Sequence, residues 1–285
     1  DPNSYISKPA LDLMLSARKD PEQPYFLILD EMNLSHVERY FADFLSAIES
    51  VDEEIHLHSD DEERNTGKSS SSGGEEEGGR VSGNQIPGKV KLPDNLFVIG
   101  TVNVDETTYM FSPKVLDRAN VIEFRVAREE MEKFLSGTPK KSDLLPGDGS
   151  PLGTGFLGNC RMDVSVPAEV EKAFTKGMLE LFGILKGGGW EFGFRVAAEA
   201  SRYVHFRKLL SPSPDKDVWF AAAMDEIIIQ KILPKLHGNS DRTEEILDEL
   251  FKCCEKKGYI LSKDKLGRMK KLLRNGGYTS FAEAS

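Results

Sequence analysis

The stretch Phe26-Leu27-Ile28-Leu29-Asp30-Glu31 decides the fold. Tyr25 to Leu29 is a short apolar run without polar alternation, which predicts a central parallel strand buried on both faces. Asp30 and Glu31 stand at its C-terminal end. In open α/β sheets ligands bind at that edge, so two carboxylates there are placed for chemistry rather than stability. The plain alternative is that they open the following helix, where carboxylates favour the positive end of the dipole.

Upstream, Leu11, Met14 and Leu15 predict a helix over Pro9 to Arg18, closed by the loop Asp20 to Pro24. Downstream, Val37, Tyr40, Phe41, Phe44, Leu45 and Ile48 have helical spacing and predict a single amphipathic helix from Ser35 to Ser50. Asn95 to Val102 reads as a second buried strand ending in Thr101-Val102-Asn103. Ser112 to Ala119 follows as a helix with Pro113 in its first turn, and Val121 to Val126 as a third strand.

An insertion separates the first two strands. Its middle, 69–79, is Ser, Gly and Glu, with too little apolar surface to offset ordering entropy, and is expected to be mobile. Its flanks, Glu54 to His58 and Lys89 to Leu92, alternate apolar and polar residues and predict the arms of a long hairpin. Gly67-Lys68-Ser69 imitates the end of the phosphate-cradling pattern G-x-x-x-x-G-K-[ST], but Glu62 stands where the leading glycine is required. No buried strand and helix flank it. His56 and His58 share one strand face without a third zinc ligand at a clear spacing.

Beyond a loop rich in Gly and Pro, Gly137 to Pro167, the pattern is helical: Glu169 to Lys186, Phe194 to Leu210, Trp219 to Leu236, Thr243 to Lys257 and Ser262 to Arg274. The expected organisation is an α/β core over 1–130 with the insertion at about 52–92, a linker over 131–167 and a helical lid over 168–285. No apolar run approaches the roughly 20 residues needed to cross a bilayer, and the N-terminus has no secretory pattern. Three cysteines, Cys160, Cys253 and Cys254, cannot build a disulfide framework, which together with the missing signal points to the cytosol. Asp1 is no translation start, so a fragment or processed product is expected. The net charge of −10 argues against uniform nucleic-acid coating. Nine basic residues lie between Lys252 and Arg274 against Glu255 and Asp264. They read first as a solvated helix face, with a nucleic-acid or partner surface at Lys270, Lys271 and Arg274 as the alternative.

The succession Leu29-Asp30-Glu31-Met32-Asn33, Ile99-Gly100-Thr101-Val102-Asn103 and Leu116-Asp117-Arg118, with a hairpin before the second motif and Phe194-Arg195 in a helical lid, resembles the AAA+ ATPases and, within them, the McrB-like branch. The resemblance implies a partial AAA+ parallel-sheet core followed by a helical lid bundle. Asp30 would hold Mg²⁺, Glu31 would share that metal site and polarise the attacking water, and Asn103 would be sensor 1. Arg118 would be the arginine finger presented to the next subunit's nucleotide and Arg195 the lid's sensor 2, both cations aimed at developing phosphate charge. The chain departs from McrB at Asn103-Val104-Asp105-Glu106, so ATP is the default nucleotide and GTP the alternative. The phosphate-binding strand, loop and lysine are missing, so the isolated chain is expected to be inactive. The implied partners are copies of itself in a ring, a hexamer by resemblance, with a McrC-like nuclease subunit and DNA. A non-catalytic assembly module and a MoxR-type chaperone are the alternatives.

Overall fold

Tyr25–Leu29 and Leu96–Gly100 pair in parallel, Tyr25 opposite Leu96 and Leu29 opposite Gly100. The computed structural model describes residues 4–5, 8–50, 53–57, 64–66, 85–103, 111–137, 150–211, 213–239 and 241–284. The middle of the insertion, with Gly67-Lys68-Ser69, and His58 and Val104-Asp105-Glu106 lie outside these residues. The chain is mixed α/β, and two units divide it. One is built on Asp1–Asn103 with Pro146–Met162, the other on Met110–Leu145 with Asp163–Ser285.

The first unit runs β1 (Ser4–Tyr5), α1 (Pro9–Lys19), β2 (Tyr25–Leu29), a 3-10 turn at Met32–Leu34, α2 (Val37–Tyr40), α3 (Ala42–Glu49), β3 (Glu54–His56), β4 (Arg64–Thr66), β5 (Gln85–Ile86), β6 (Lys89–Lys91) and β7 (Leu96–Gly100). Pro9 opens α1, where its missing N–H is no loss, and Leu11, Met14, Leu15 and Ala17 bury one face. β3 and β6 pair antiparallel, Glu54 opposite Lys91, as the hairpin arms predict. β4 joins β1 in parallel and β5 antiparallel.

Two expectations fail in this unit. The helix over 35–50 is broken at Phe41, whose φ of −116° and ψ of 16° are not helical; its ring is buried and stacks on Phe44 at 4.6 Å. The β2–β7 pair is also not buried on both faces. Leu27 and Leu96 point inward, but on the other face Phe26 is 46% and Ile28 63% exposed. Phe156 partly covers that face, its ring 6.1 Å from Phe26 and 5.0 Å from Phe97. Among the described residues this sheet has two strands, too few to carry a full second layer.

Two elements position the sheet. Asn95, 1% exposed, donates from Nδ2 to the carbonyls of Ala17, Asp20 and Gln23 at 2.8–3.0 Å, fixing the end of α1 to the start of β7. After α4 (Pro113–Leu116) and α5 (Arg128–Ser136), which belong to the second unit, the chain returns as α6 (Ser150–Arg161) inside the stretch expected to be loop. Arg161 pairs in a fork with Asp94 at 2.8 and 2.9 Å and donates to the Pro21 carbonyl at 2.9 Å. Such tertiary contacts outweigh the poor helix propensity of the α6 glycines.

The second unit is the helical bundle: α7 (Glu171–Gly188), α8 (Phe194–Leu210), α9 (Lys216–Ile227), a π-helical turn at Ile228–Ile232, a 3-10 turn at Leu233–Lys235, β8 (His237–Gly238), α10 (Asp241–Lys257), α11 (Ile260–Gly276) and β9 (Thr279–Ser280). Leu181, Val204, Ile227, Leu250, Leu266 and Met269 lie in one core. Each such side chain contributes about 1.5–3 kcal/mol on burial. Gly189, at φ 80°, ends α7 in the left-handed conformation, where the Trp190 N–H reaches the Leu185 carbonyl. Asp225 of α9, 6% exposed, accepts from the Leu261 and Ser262 amides at 2.9 and 2.8 Å and so caps α11.

Among the described residues Val121 to Val126 is not a strand of any sheet. The Val121 N–H donates to the Gln230 carbonyl at 3.1 Å, its side chain packs on the helical core, and Glu123 pairs with Lys265 at 2.8 Å. Ile122, Phe124 and Val126 point outward, 65–92% exposed. The alternating pattern is real, but its inward partners are helices.

Candidate functional site

The carboxylate pair lies where β2 ends and the chain turns sharply. Glu31 has φ 49° and ψ 45°, and among the described residues no other side-chain-bearing residue has a positive φ. A left-handed residue with a Cβ costs about 1–2 kcal/mol, so the turn must be held by its surroundings. Thr101, just past β7, holds it. Its N–H donates to the Leu29 carbonyl at 3.0 Å, and its own carbonyl accepts the Met32 N–H at 3.0 Å. Its hydroxyl accepts the Glu31 N–H at 2.8 Å and donates to Asp30 Oδ1 at 2.5 Å.

Asn103 completes the cluster. Its Nδ2 donates to Glu31 Oε1 at 2.9 Å, and its carbonyl accepts from Nδ2 of Asn33 at 3.0 Å. Asn33 is 3% exposed, and its buried Oδ1 has no hydrogen-bond partner among the described residues. Tyr40 Oη donates to the Met32 carbonyl at 2.9 Å, tying α2 to the same turn. Gly100 permits the approach, since a Cβ there would stand 1.8 Å from Met32 Sδ. Asp30, Glu31, Thr101 and Asn103 are all exposed.

Asp30, Glu31 and Asn103 are therefore brought together at one sheet edge. Thr101 and Asn33 belong with them although the sequence pattern gives neither a role; the signal for Thr101 is its position at the end of the second apolar run, two residues before Asn103. Arg118 and Arg195 both lie in the helical unit. Arg118 follows α4 and donates to the Lys114 carbonyl at 2.5 Å. Burial, and then the charge of Arg195, holds the Arg118 guanidinium below its ordinary pKa. Arg195 stands in the first turn of α8 and is half-buried.

The C-terminal basic residues are used within the bundle. Lys270 pairs with Asp248 at 2.7 Å and sits 4.4 Å from the Phe251 ring centre, and Arg274 pairs with Glu244 at 3.0 Å. These contacts join α11 to α10. Lys271 is exposed.

Residues 154–278 match a family described as a domain of unknown function, DUF8727. No curated protein and no solved structure matches the chain. The matched span begins within α6 and ends just past α11, so it includes Arg195 and excludes Asp30, Glu31, Asn103 and Arg118. Among the described residues no helix is long and apolar enough to cross a membrane.

Proposed function

We propose that this chain supplies the metal-and-water half of an AAA+ nucleoside triphosphatase site, with ATP as the default nucleotide. The observation that carries the reading is the Asn103–Glu31 hydrogen bond across the ends of two parallel strands, with Asp30 held alongside by Thr101. Phosphoryl transfer asks little covalent chemistry of a protein. It asks for a neutralising cation, an oriented water and further positive charge.

The donor set fits Mg²⁺, a hard cation that takes one or two carboxylates and keeps several waters. Asp30 would hold it, with Glu31 close by. Among the described residues no three His, Cys, Asp or Glu side chains converge, so nucleotide oxygens and water complete the shell in this reading. When bound, Mg²⁺ neutralises charge on the phosphates. Glu31 accepts the proton of the attacking water at its carboxylate, and Asn103 fixes that carboxylate's direction. By the same reading Arg118 is the finger for a neighbouring subunit's nucleotide and Arg195 the sensor 2 of the helical unit. The phosphate-cradling pattern does not occur in this sequence, so the half-site needs that loop from elsewhere.

The test is Mg²⁺-dependent ATP and GTP turnover by the isolated chain and by its full gene product. No turnover is expected from the isolated chain, and turnover abolished by Asp30→Asn from the full product. Glu31-dependent turnover by the isolated chain contradicts the half-site, and a full product without nucleotide turnover contradicts the enzyme.

A further inference from the structure

The segment carrying Arg118 is fastened along the helical unit by lysines. Lys235 pairs with Asp117, the residue before Arg118. Lys231, 3% exposed, donates to the carbonyl of Ala119, the residue after it, at 2.9 Å and also pairs with Glu199. The Gln230 carbonyl accepts the Val121 N–H at 3.1 Å, and the fully buried Lys265 holds Glu123 at 2.8 Å. Three of these four attachments come from the π-helical turn and the 3-10 turn after it, Ile228–Lys235. A π turn leaves the α-helical bonding pattern, which frees a carbonyl such as that of Gln230 for an outside donor.

Glu199 makes the arrangement more than an anchor. It lies on α8 four residues beyond Arg195, so both side chains stand on neighbouring turns of one helix face. A continuous series of contacts therefore runs from α8 through Glu199 and Lys231 to the backbone beside Arg118. We infer that Lys231 and Lys235 are positioning residues that fix Arg118 in one rigid frame with Arg195. This rests on the reading of Arg118 as a phosphate-facing cation. Its consequence is that Arg118 moves with the helical lid.

The test has two arms. Hydrogen exchange on the isolated chain should show the Val121 amide exchanging at least about tenfold faster in Lys231→Met, with the α10 and α11 amides unchanged, since a fastened segment opens locally. Asp117→Asn removes an exposed partner without touching the core and should also speed exchange over 117–121. In the full gene product, Asp117→Asn should lower kcat with KM unchanged and add nothing to Arg118→Ala. Unchanged exchange in both variants, or additive effects of Asp117→Asn and Arg118→Ala, overturns the inference alone. Turnover unchanged by Arg118→Ala overturns the underlying reading of Arg118, and the inference with it.

Discussion

The Thr101 hydroxyl donates to Asp30 at 2.5 Å while accepting the amide of the next residue, Glu31, at 2.8 Å. One small side chain thus holds both carboxylate positions, one through its side chain and one through a strained backbone. A side chain lacking the hydroxyl cannot do either.

Thr101→Val keeps the shape and loses both hydrogen bonds, while Thr101→Ser keeps them. Net stability should fall by about 0.5–1.5 kcal/mol for each bond lost in the valine variant, the ordinary net worth of a hydrogen bond. Nucleotide turnover by the full gene product should fall at least about tenfold and return in the serine variant. Denaturant midpoints and kcat measure the two separately; equal turnover in all three proteins removes Thr101 from the site.

Gly100→Ala places a methyl group where Met32 Sδ already lies. The turn behind Glu31 must shift to admit it, and overpacking of this kind costs about 1–3 kcal/mol. A lowered unfolding midpoint is expected. An unchanged one would mean that the Met32 side chain simply swings away.

The meeting of Asp30, Glu31 and Asn103 at one sheet edge is legible in sequence because each stands at the end of an apolar run that reads as a buried strand. Thr101 is not, because a threonine at a strand end fits ordinary β preference. Val121 to Val126 alternates correctly, yet alternation records only that one face is covered and not whether a strand or a helix covers it. The attachments of Asp117 and Glu123 to Lys235 and Lys265 span more than a hundred residues and leave no local trace. The glycines of α6 hide it in sequence, and the contact of its last residue, Arg161, with Asp94 is long-range and leaves no local trace.

Lys265 is fully buried between Glu123 and the Phe281 ring, 3.9 Å from the ring centre, with Arg268 and Arg125 also facing Glu123. Burial, only partly offset by Glu123, lowers its pKa from the ordinary 10.5. The unfolded chain therefore binds more protons between the folded and unfolded values, and stability contributed by this group rises with pH through that window. Unfolding midpoints followed to pH 10.5 should show that rise. It should be absent in Lys265→Met; an identical pH dependence in both proteins contradicts the assignment.

Burial pushes the Cys254 thiol up to about 12 and also raises Cys253, whereas Cys160 is half-buried. Thiolate is the reactive form. Alkylation of the native chain at pH about 8 should modify Cys160 first and the other two only on unfolding. Mass spectrometry of the digested protein reads this directly, and early labelling of Cys254 would show that the α10–α11 contact opens.

Substitution of Glu31 by Gln keeps the size and the Asn103 contact but removes the base. Nucleotide binding and hydrolysis by the full gene product, measured side by side, test the half-site most directly. Binding should be retained while kcat falls by about 10²–10⁴-fold. Hydrolysis undiminished in Glu31→Gln would contradict the assignment of Asp30, Glu31, Thr101 and Asn103 as the water-activating edge of a nucleotide site.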